Sequence, residues 1–339
     1  MHRRIAIIVP ALFALAAFAA PCPAMQIGAG EKPLVIRPPK KDKRTELPNQ
    51  ALDELPAPPL ALPADGTRLS FLAVPLSSQG LLSQQTRNGL KWLIGQAHGV
   101  QFVRIRAFVA GSGDLRRVPQ LVSEMFTEKH LPLPVVVTVQ VGDLPLEGAQ
   151  VQLEATLQQS RPVNPGGVRF VAAEAASSDA AVSRLKESGE LLRATCFVPS
   201  IEGHAPEDGV VWIRSQRLPG QTATSCEGVA RSAAPAGAAQ PLIFTGAQMA
   251  FSYSEADAKL AYERLEKTLK SANSTLKNAI FLSFYPLSSQ LAEMARRAGA
   301  SYVDPAHEAA GIRNIIFEGL PSMDGSFAIE AVATVSDPN

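Results

Sequence analysis

Apolar and polar residues at the start of the globular part of this chain predict two strands with a helix between them. Residues 69–74 and 100–109 are apolar runs rich in β-branched and aromatic side chains, which is typical of strands. Residues 83–96 carry leucines at helical spacing. A second amphipathic helix is expected to follow, with Asp114 as its N-cap.

A second pattern occurs three times, a β-branched strand followed by Leu-Pro, a short turn and a strand that carries a glutamate. Its copies comprise residues 135–141, Leu144-Pro145 and 151–155; residues 210–213, Leu218-Pro219 and 226–230; and residues 312–317, Leu320-Pro321 and 328–333. Alternating side chains around a short turn predict that each copy is an antiparallel hairpin with one buried face.

The strand and helix order upstream of the first motif also recurs upstream of the third. The third copy predicts strands over 242–244 and 279–284 and helices over 255–271 and 288–298. The middle copy keeps one helix, over 179–187, and has a loop over 199–209 in place of the second. We therefore predict an α+β fold of two complete copies and one shortened copy, with boundaries at residues 66–160, 161–234 and 238–336.

The N-terminal residues have a different pattern. Two arginines precede an apolar run over 5–20 and small residues follow it, which is typical of a secretory signal peptide over residues 1–24. Lipid attachment at Cys22 and an uncleaved anchor are the alternatives. Residues 25–65 contain eight prolines and a basic cluster, which predicts an extended linker. We expect a periplasmic or secreted protein without a membrane span after signal cleavage.

Composition restricts the function further. Apolar residues make up 46% of the chain and the formal net charge is +1, which is typical of a soluble globular protein and does not favour nucleic acid. The histidines lack metal-ligand spacing and no phosphate-binding glycine loop is present, so we expect neither metal nor cofactor. Cys196 and Cys226 form either a disulfide, as export favours, or two separate buried thiols.

Several of these segments resemble the RidA family of reactive intermediate deaminases, also called YjgF-like. The best matches are residues 242–248, Gly319-Leu320-Pro321 and residues 329–333, and the resemblance spans 66–336 with its weakest part at 161–234. Members have a chorismate-mutase-like fold, with helices on one face of an antiparallel-rich sheet, and form homotrimers with ligand clefts between subunits. The resemblance implies that three copies in one chain form an intramolecular pseudo-trimer that is a monomer in solution.

The resemblance also implies a chemistry, the hydrolysis of imines and enamines. Family members bind the substrate carboxylate with an arginine eight residues before the leucine of Leu-Pro. The corresponding positions here are Val136, Val210 and Ile312, so the arginine is missing from every copy. Arg313 is one position away, and only a bulge would turn its side chain to the same face.

The family glutamate that positions the hydrolytic water matches Glu154, Glu227 and Glu330. Each is either a general base with a raised pKa or a polar strand residue paired with an arginine. Arg104 and Arg106 share one face of their strand, which we interpret as a solvated face, with a cationic clamp for a ligand as the alternative.

The missing arginines favour a non-catalytic module that binds small molecules at the clefts between repeats or serves as a scaffold. An imine or enamine deaminase that acts on a non-standard substrate through a retained glutamate is the alternative.

Overall fold

The computed structural model of the protein describes residues 55–204, 209–215, 224–232, 241–303, 309–311 and 315–336. The predicted signal peptide and most of the predicted linker lie outside these ranges, as does the predicted boundary between the second and third copies. Strands and helices are both abundant in the described residues, so the α+β prediction is confirmed. Within the same ranges, no helix is both long enough and apolar enough to cross a membrane.

The strands are, in chain order, β1 (Ala61–Asp65), β2 (Leu69–Ala73), β3 (Gln101–Ala110), β4 (Val135–Val141), β5 (Val151–Gln158), β6 (Val168–Ala175), β7 (Glu190–Val198), β8 (Val210–Arg214), β9 (Thr224–Arg231), β10 (Pro241–Thr245), β11 (Gln248–Ala250), β12 (Ala279–Pro286) and β13 (Phe327–Thr334). The helices are α1 (Leu82–Ala97), α2 (Arg117–Glu128), α3 (Ser178–Lys186), α4 (Glu255–Ser271) and α5 (Ser289–Gly299). Helix α4 has the predicted bounds, and the predicted ends of α1, α3 and α5 lie within one residue of those observed.

Helix α2 begins later than its predicted cap. Its N-cap is Arg116, and the carboxylate of Asp114 accepts hydrogen bonds from the backbone and side chain of that arginine instead of capping the helix. Pro119 is the third helical residue, in the first turn, where a missing backbone N–H costs no intrahelical hydrogen bond. The prediction that Asp114 caps this helix was therefore wrong.

The first and second sheets share one strand order. The first is β2-β5-β3-β4 and the second is β6-β9-β7-β8. Strands β3 and β4 pair in parallel, as do β7 and β8, while β5 and β9 lie antiparallel between their two neighbours. The hairpin prediction was wrong for these copies because β3 separates β4 from β5 and β7 separates β8 from β9. Strands β5 and β9 are buried at every position except their last, which suits an inner strand.

The third sheet has five strands, in which β13 pairs antiparallel with β10, β11 and β12. Its fifth strand, β1, comes from the segment predicted as linker, and it pairs with β10 from Ala61–Thr245 to Asp65–Pro241. The linker prediction was therefore wrong for residues 61–65, which bury Ala64 against the inner faces of the sheets. Pairing of β1 with β10 attaches the N-terminal end of the described chain to its C-terminal sheet.

The helices and the inner faces of the sheets form separate apolar clusters. Helices α1 and α2 pack on the first sheet, α3 on the second, and α4 and α5 on the third. The other faces of the three sheets meet in two clusters without helical residues. One contains Phe108, Phe197, Tyr285 and Phe317, and the other contains Val103, Phe170, Phe244 and Phe281. The three sheets therefore share an interior that their helices do not enter.

Two of the three cysteines lie in the second sheet. Cys196 on β7 faces Cys226 on β9 in the antiparallel register, and both are fully buried. Their sulfur atoms are bonded in the structure, with an S–S distance of 2.04 Å and a sequence separation of 30. Of the two alternatives for this pair, the structure contains the disulfide.

Candidate functional site

The three predicted glutamates lie on the inner faces of the three sheets, at corresponding places in the pairing. Glu154 is opposite Arg106, Glu227 is opposite Thr195, and Glu330 is opposite Ser283. The exposed fractions of the three glutamates are 8%, 4% and 0%, respectively. Because each sheet directs its glutamate inward, the three carboxylates converge in one buried cluster.

Arg106 occupies the centre of this cluster. Its Nη1 forms an ion pair with Glu227 Oε1 of the second sheet. The same nitrogen lies 3.9 Å from Glu154 Oε2, and Nε lies 3.5 Å from Glu330 Oε1. One guanidinium thus approaches a carboxylate from each of the three sheets.

Arg104 is buried as well, with its Nη1 3.6 Å from Glu330 Oε1 and its guanidinium over the ring of Phe244. The interpretation of Arg104 and Arg106 as a solvated face was therefore wrong. Their strand, β3, lies inside its sheet, with helices on one face and the other two sheets on the opposite face. Charged side chains on that inner face cannot reach water, so they are neutralised by the glutamates.

Three further residues complete the cluster. Arg193 Nη2 donates a hydrogen bond of 3.0 Å to Glu154 Oε1, and Thr195 Oγ1 donates one of 2.7 Å to the same oxygen. Tyr285 donates a hydrogen bond of 2.6 Å from its hydroxyl to Glu330 Oε1 and accepts one of 3.2 Å from Arg106 Nη2. Sequence reasoning missed these residues. The available signal was on β7, where Arg193, Thr195 and Phe197 have the same spacing as Arg104, Arg106 and Phe108 on β3.

Charges within this cluster balance, since Arg104, Arg106 and Arg193 face the three glutamates. Burial opposes the charged form of Arg106, but Glu227, Tyr285, Glu330 and Glu154 outweigh it and hold its pKa well above the ordinary value. Arg106 is therefore a permanent cation in the interior.

Glu154 and Glu227 differ in their ionisation. Burial raises the pKa of Glu154, but Arg193 and Arg106, together with hydrogen bonds from Thr195 and Arg193, outweigh it and lower the pKa below its ordinary value. Burial also raises the pKa of Glu227, and there Arg106 offsets only part of the effect while Glu330 and Glu154 add to it. The pKa of Glu227 is consequently raised.

A small cavity lies beside Glu227 in this cluster. The cavity bordered by Arg106, Glu227, Ser283 and Tyr285 has a volume of about 10 Å³. Such a cavity has room for about one water molecule. A substrate therefore does not fit into this cavity.

A larger cleft lies between the first and second sheets, with a volume of about 370 Å³. It is lined by Phe71, Ala73, Val74, Pro75, Leu76, Pro145, Gln152, Leu192, Arg193, Gly209, Val211 and Trp212. Among these described lining residues Arg193 is the only charged one. The cleft thus reaches the outer side of the ion pair between Arg193 and Glu154.

Positions that correspond to the family arginine carry no cation in the described chain. Val136 packs towards the helices of the first sheet and Val210 towards the helix of the second. Ile312 and Arg313 lie outside the described residues, so the predicted role of Arg313 stays a prediction. Among the described residues, no group of three or more His, Cys, Asp and Glu side chains is placed to hold a metal ion.

Comparison with protein-family models finds no matching family, and comparison with curated protein sequences finds no matching protein. Among solved structures, a chorismatase aligns with 78% of this chain and 75% of its own at 11% identity and a TM-score of 0.41. A YjgF/YER057c/UK114 family member from Mycobacterium tuberculosis covers 28% of this chain and 79% of its own, at 18% identity and a TM-score of 0.26.

RidA from the Antarctic bacterium Psychrobacter covers 28% of this chain and 80% of its own, at 14% identity and a TM-score of 0.25. Structures similar to parts of this chain therefore include YjgF and RidA proteins. The TM-scores lie below 0.5, so these similarities carry no argument about what this chain binds or catalyses.

Proposed function

We propose that this chain is an exported, non-catalytic small-molecule-binding module in which three RidA-like units form an intramolecular pseudo-trimer. The main support for this proposal is that all three glutamates lie in one buried cluster, where three arginines balance their charges. The carboxylates that would position a hydrolytic water are instead bound to arginine, threonine and tyrosine side chains.

Catalysis by these glutamates is disfavoured by their contacts. A general base must reach a water molecule beside the substrate and accept its proton. Glu154 already accepts hydrogen bonds from Arg193 and Thr195, and Glu330 accepts one from Tyr285. Glu227 has the raised pKa that suits a base, but the cavity beside it holds about one water and no substrate.

Binding is supported by the cleft between the first and second sheets. Its volume of about 370 Å³ lies within the roughly 300–1,000 Å³ typical of small-molecule sites. Most of its described lining residues are apolar, Phe71 and Leu192 among them, and polar atoms contribute about half of its surface. A few polar groups among apolar walls are the usual composition of a ligand pocket.

The pseudo-trimer is supported by the corresponding inner positions of the three sheets. Arg106, Thr195 and Ser283 occupy the same register relative to the glutamates, although their side chains differ. One copy of each unit is therefore needed to build the observed cluster, which favours a monomer. Export is supported by the buried disulfide, since disulfides persist in oxidising compartments.

The catalytic part of the proposal is tested with imino acids generated in situ by an amino-acid oxidase. Acidic, basic and apolar imino acids are supplied to the purified protein and to its Glu154→Gln, Glu227→Gln and Glu330→Gln variants, with the exposed Glu128→Gln as matched control. We expect no acceleration of hydrolysis by any of them. Acceleration by the wild type and Glu128→Gln that is lost in one of the cluster variants would establish the deaminase alternative instead.

The assembly and export parts are tested separately. Sedimentation is expected to give the mass of a single chain at all concentrations, and a larger particle would contradict the intramolecular pseudo-trimer. N-terminal sequencing of protein from the periplasmic fraction is expected to begin after Ala24. An intact N-terminus in the cytoplasmic fraction would contradict export.

A further inference from the structure

The single charged residue among the described lining of the cleft is already neutralised, and this restricts the ligand. Arg193 is 9% exposed, and its Nη2 lies 3.0 Å from Glu154 Oε1. Thr195 holds the same oxygen in place through its hydrogen bond. An anionic ligand would have to compete with a fixed carboxylate for this guanidinium and would then lie close to the negative charge of Glu154.

Polar groups on the remaining wall of the cleft are neutral. The Gln152 side chain uses its Nε2 to donate to the backbone oxygens of Val74 and Leu153, at 2.9 and 3.1 Å. Its Oε1 has no hydrogen bond in the described structure, so it is an available acceptor. The indole of Trp212 packs against His204 on the side of the second sheet that α3 covers, so its Nε1 does not face the cleft. The neutral acceptor of Gln152 suits an amide N–H or a hydroxyl better than a carboxylate.

The aromatic and aliphatic walls determine the rest of the ligand. Phe71 from β2 lines the side of the cleft that the first sheet forms, and Leu192 and Trp212 line the side that the second sheet forms. Aromatic rings and aliphatic side chains favour flat apolar groups, since burial of apolar surface supplies most of the binding free energy in such pockets.

We infer that the cleft between the first and second sheets binds uncharged molecules with an apolar or aromatic body and an amide-like polar end, and discriminates against carboxylates. The inference rests on the proposed binding function and adds the ligand class. Glu154 is the residue that determines this selectivity, because it neutralises Arg193.

The test compares phenylacetamide with phenylacetate, which have nearly the same shape and differ by one charge. The chain contains two tryptophans, so Trp92→Phe leaves Trp212, which borders the cleft, as the fluorescent reporter. In this background, titration is expected to show binding of phenylacetamide with a dissociation constant at least about tenfold below that of phenylacetate.

Glu154→Gln is expected to reverse this selectivity, since it keeps the size of the side chain but leaves Arg193 unpaired. The affinity for phenylacetate should rise about tenfold or more, and the affinity for phenylacetamide should change little. Adding Arg193→Met should abolish the gain for phenylacetate. Glu128→Gln, a surface substitution of the same type, should leave both affinities unchanged.

The outcomes separate this inference from the proposed function. Tighter binding of phenylacetate by the wild-type cleft would overturn the inference and leave the binding function intact. A lack of binding of both probes up to about 10 mM would overturn both. Thermal unfolding monitors the fold of each variant, and if Glu154→Gln does not fold, the comparison of the two probes in the Trp92→Phe protein decides alone.

Discussion

The guanidinium of Arg193 on β7 lies 3.0 Å from the carboxylate of Glu154 on β5, so a cation of the second sheet neutralises an anion of the first. Arg106 on β3 makes the reverse connection, to Glu227 of the second sheet. The contact between these two sheets is therefore ionic at its centre. Buried ion pairs contribute little compared with well-packed apolar side chains, but loss of one partner leaves an uncompensated buried charge.

Replacement of Arg106 should destabilise the protein strongly. Arg106→Met removes the cation that contacts carboxylates from all three sheets, and we expect a loss of about 3–5 kcal/mol in the free energy of unfolding. Urea denaturation measures this loss. The control is Arg116→Met, whose side chain is 68% exposed, and we expect it to change the free energy of unfolding little. Equal effects of the two substitutions would contradict the central role of Arg106.

Glu154→Gln should alter the acid stability of the protein. Because the pKa of Glu154 is lowered in the folded state, its carboxylate stabilises the fold above the unfolded-state pKa of about 4.3. This stability is lost as the pH falls through the lower folded-state pKa. The difference in unfolding free energy between wild type and variant should thus be largest near about pH 7 and shrink below about pH 4. A pH-independent difference would contradict the lowered pKa.

Glu227→Gln should show the opposite dependence on pH. Its folded-state pKa is raised, so the stability contributed by the protonated carboxyl is fully present below about pH 4.3 and is lost as the pH rises through the folded-state pKa. The stability of the wild type relative to this variant should therefore decrease with rising pH. Denaturation curves for both variants over one pH series make the comparison, and parallel profiles would refute the assigned difference between the two glutamates.

Asn164 should be important for the junction of the first and second sheets. It is fully buried, its Nδ2 donates to the backbone oxygen of Leu69 at 2.6 Å, and its Oδ1 accepts from Arg231 Nε at 3.1 Å. Asn164→Ala leaves the buried carbonyl of Leu69 without its donor and removes one acceptor of Arg231, with an expected cost of about 1–3 kcal/mol.

The matched control for this prediction is the exposed helical residue Asn88, where alanine should change the unfolding free energy by less than about 0.7 kcal/mol. Thermal and urea denaturation compare the two variants. An Asn164→Ala protein as stable as Asn88→Ala would show that the junction does not depend on these hydrogen bonds.

The disulfide should stabilise the second sheet measurably. Replacing Cys196 and Cys226 together by alanine removes a cross-link that closes a loop with a sequence separation of 30, for which the chain-entropy account gives about 3–4 kcal/mol. Guanidinium denaturation of the double variant and of the reduced wild type should give similar losses. Alkylation of these two cysteines in the unfolded, unreduced protein would show that the bond is absent.

Periodicity in the sequence predicted most of the helices and strands. Helix α4 has its predicted bounds because Ser254 caps it and its leucines recur at helical spacing, features that depend only on neighbouring residues. The recurring glutamates likewise follow from the strand pattern. The pairing of the strands does not follow from the strand pattern. Strand β5 pairs with β3 and not with β4, and both faces of β5 are buried as a result.

What the sequence by itself determined is thus the order of the elements and the side of each strand that carries Glu154, Glu227 and Glu330. Only the tertiary structure decided what covers that side. Arg104 and Arg106 lie at alternate positions of β3, and this alternation is the same for a face that contacts water and for a face that two other sheets cover. The local pattern therefore could not distinguish an exposed face from a buried one. Because the second and third sheets cover this face, the arginines pair with the glutamates instead of facing water, and a cleft remains beside Arg193.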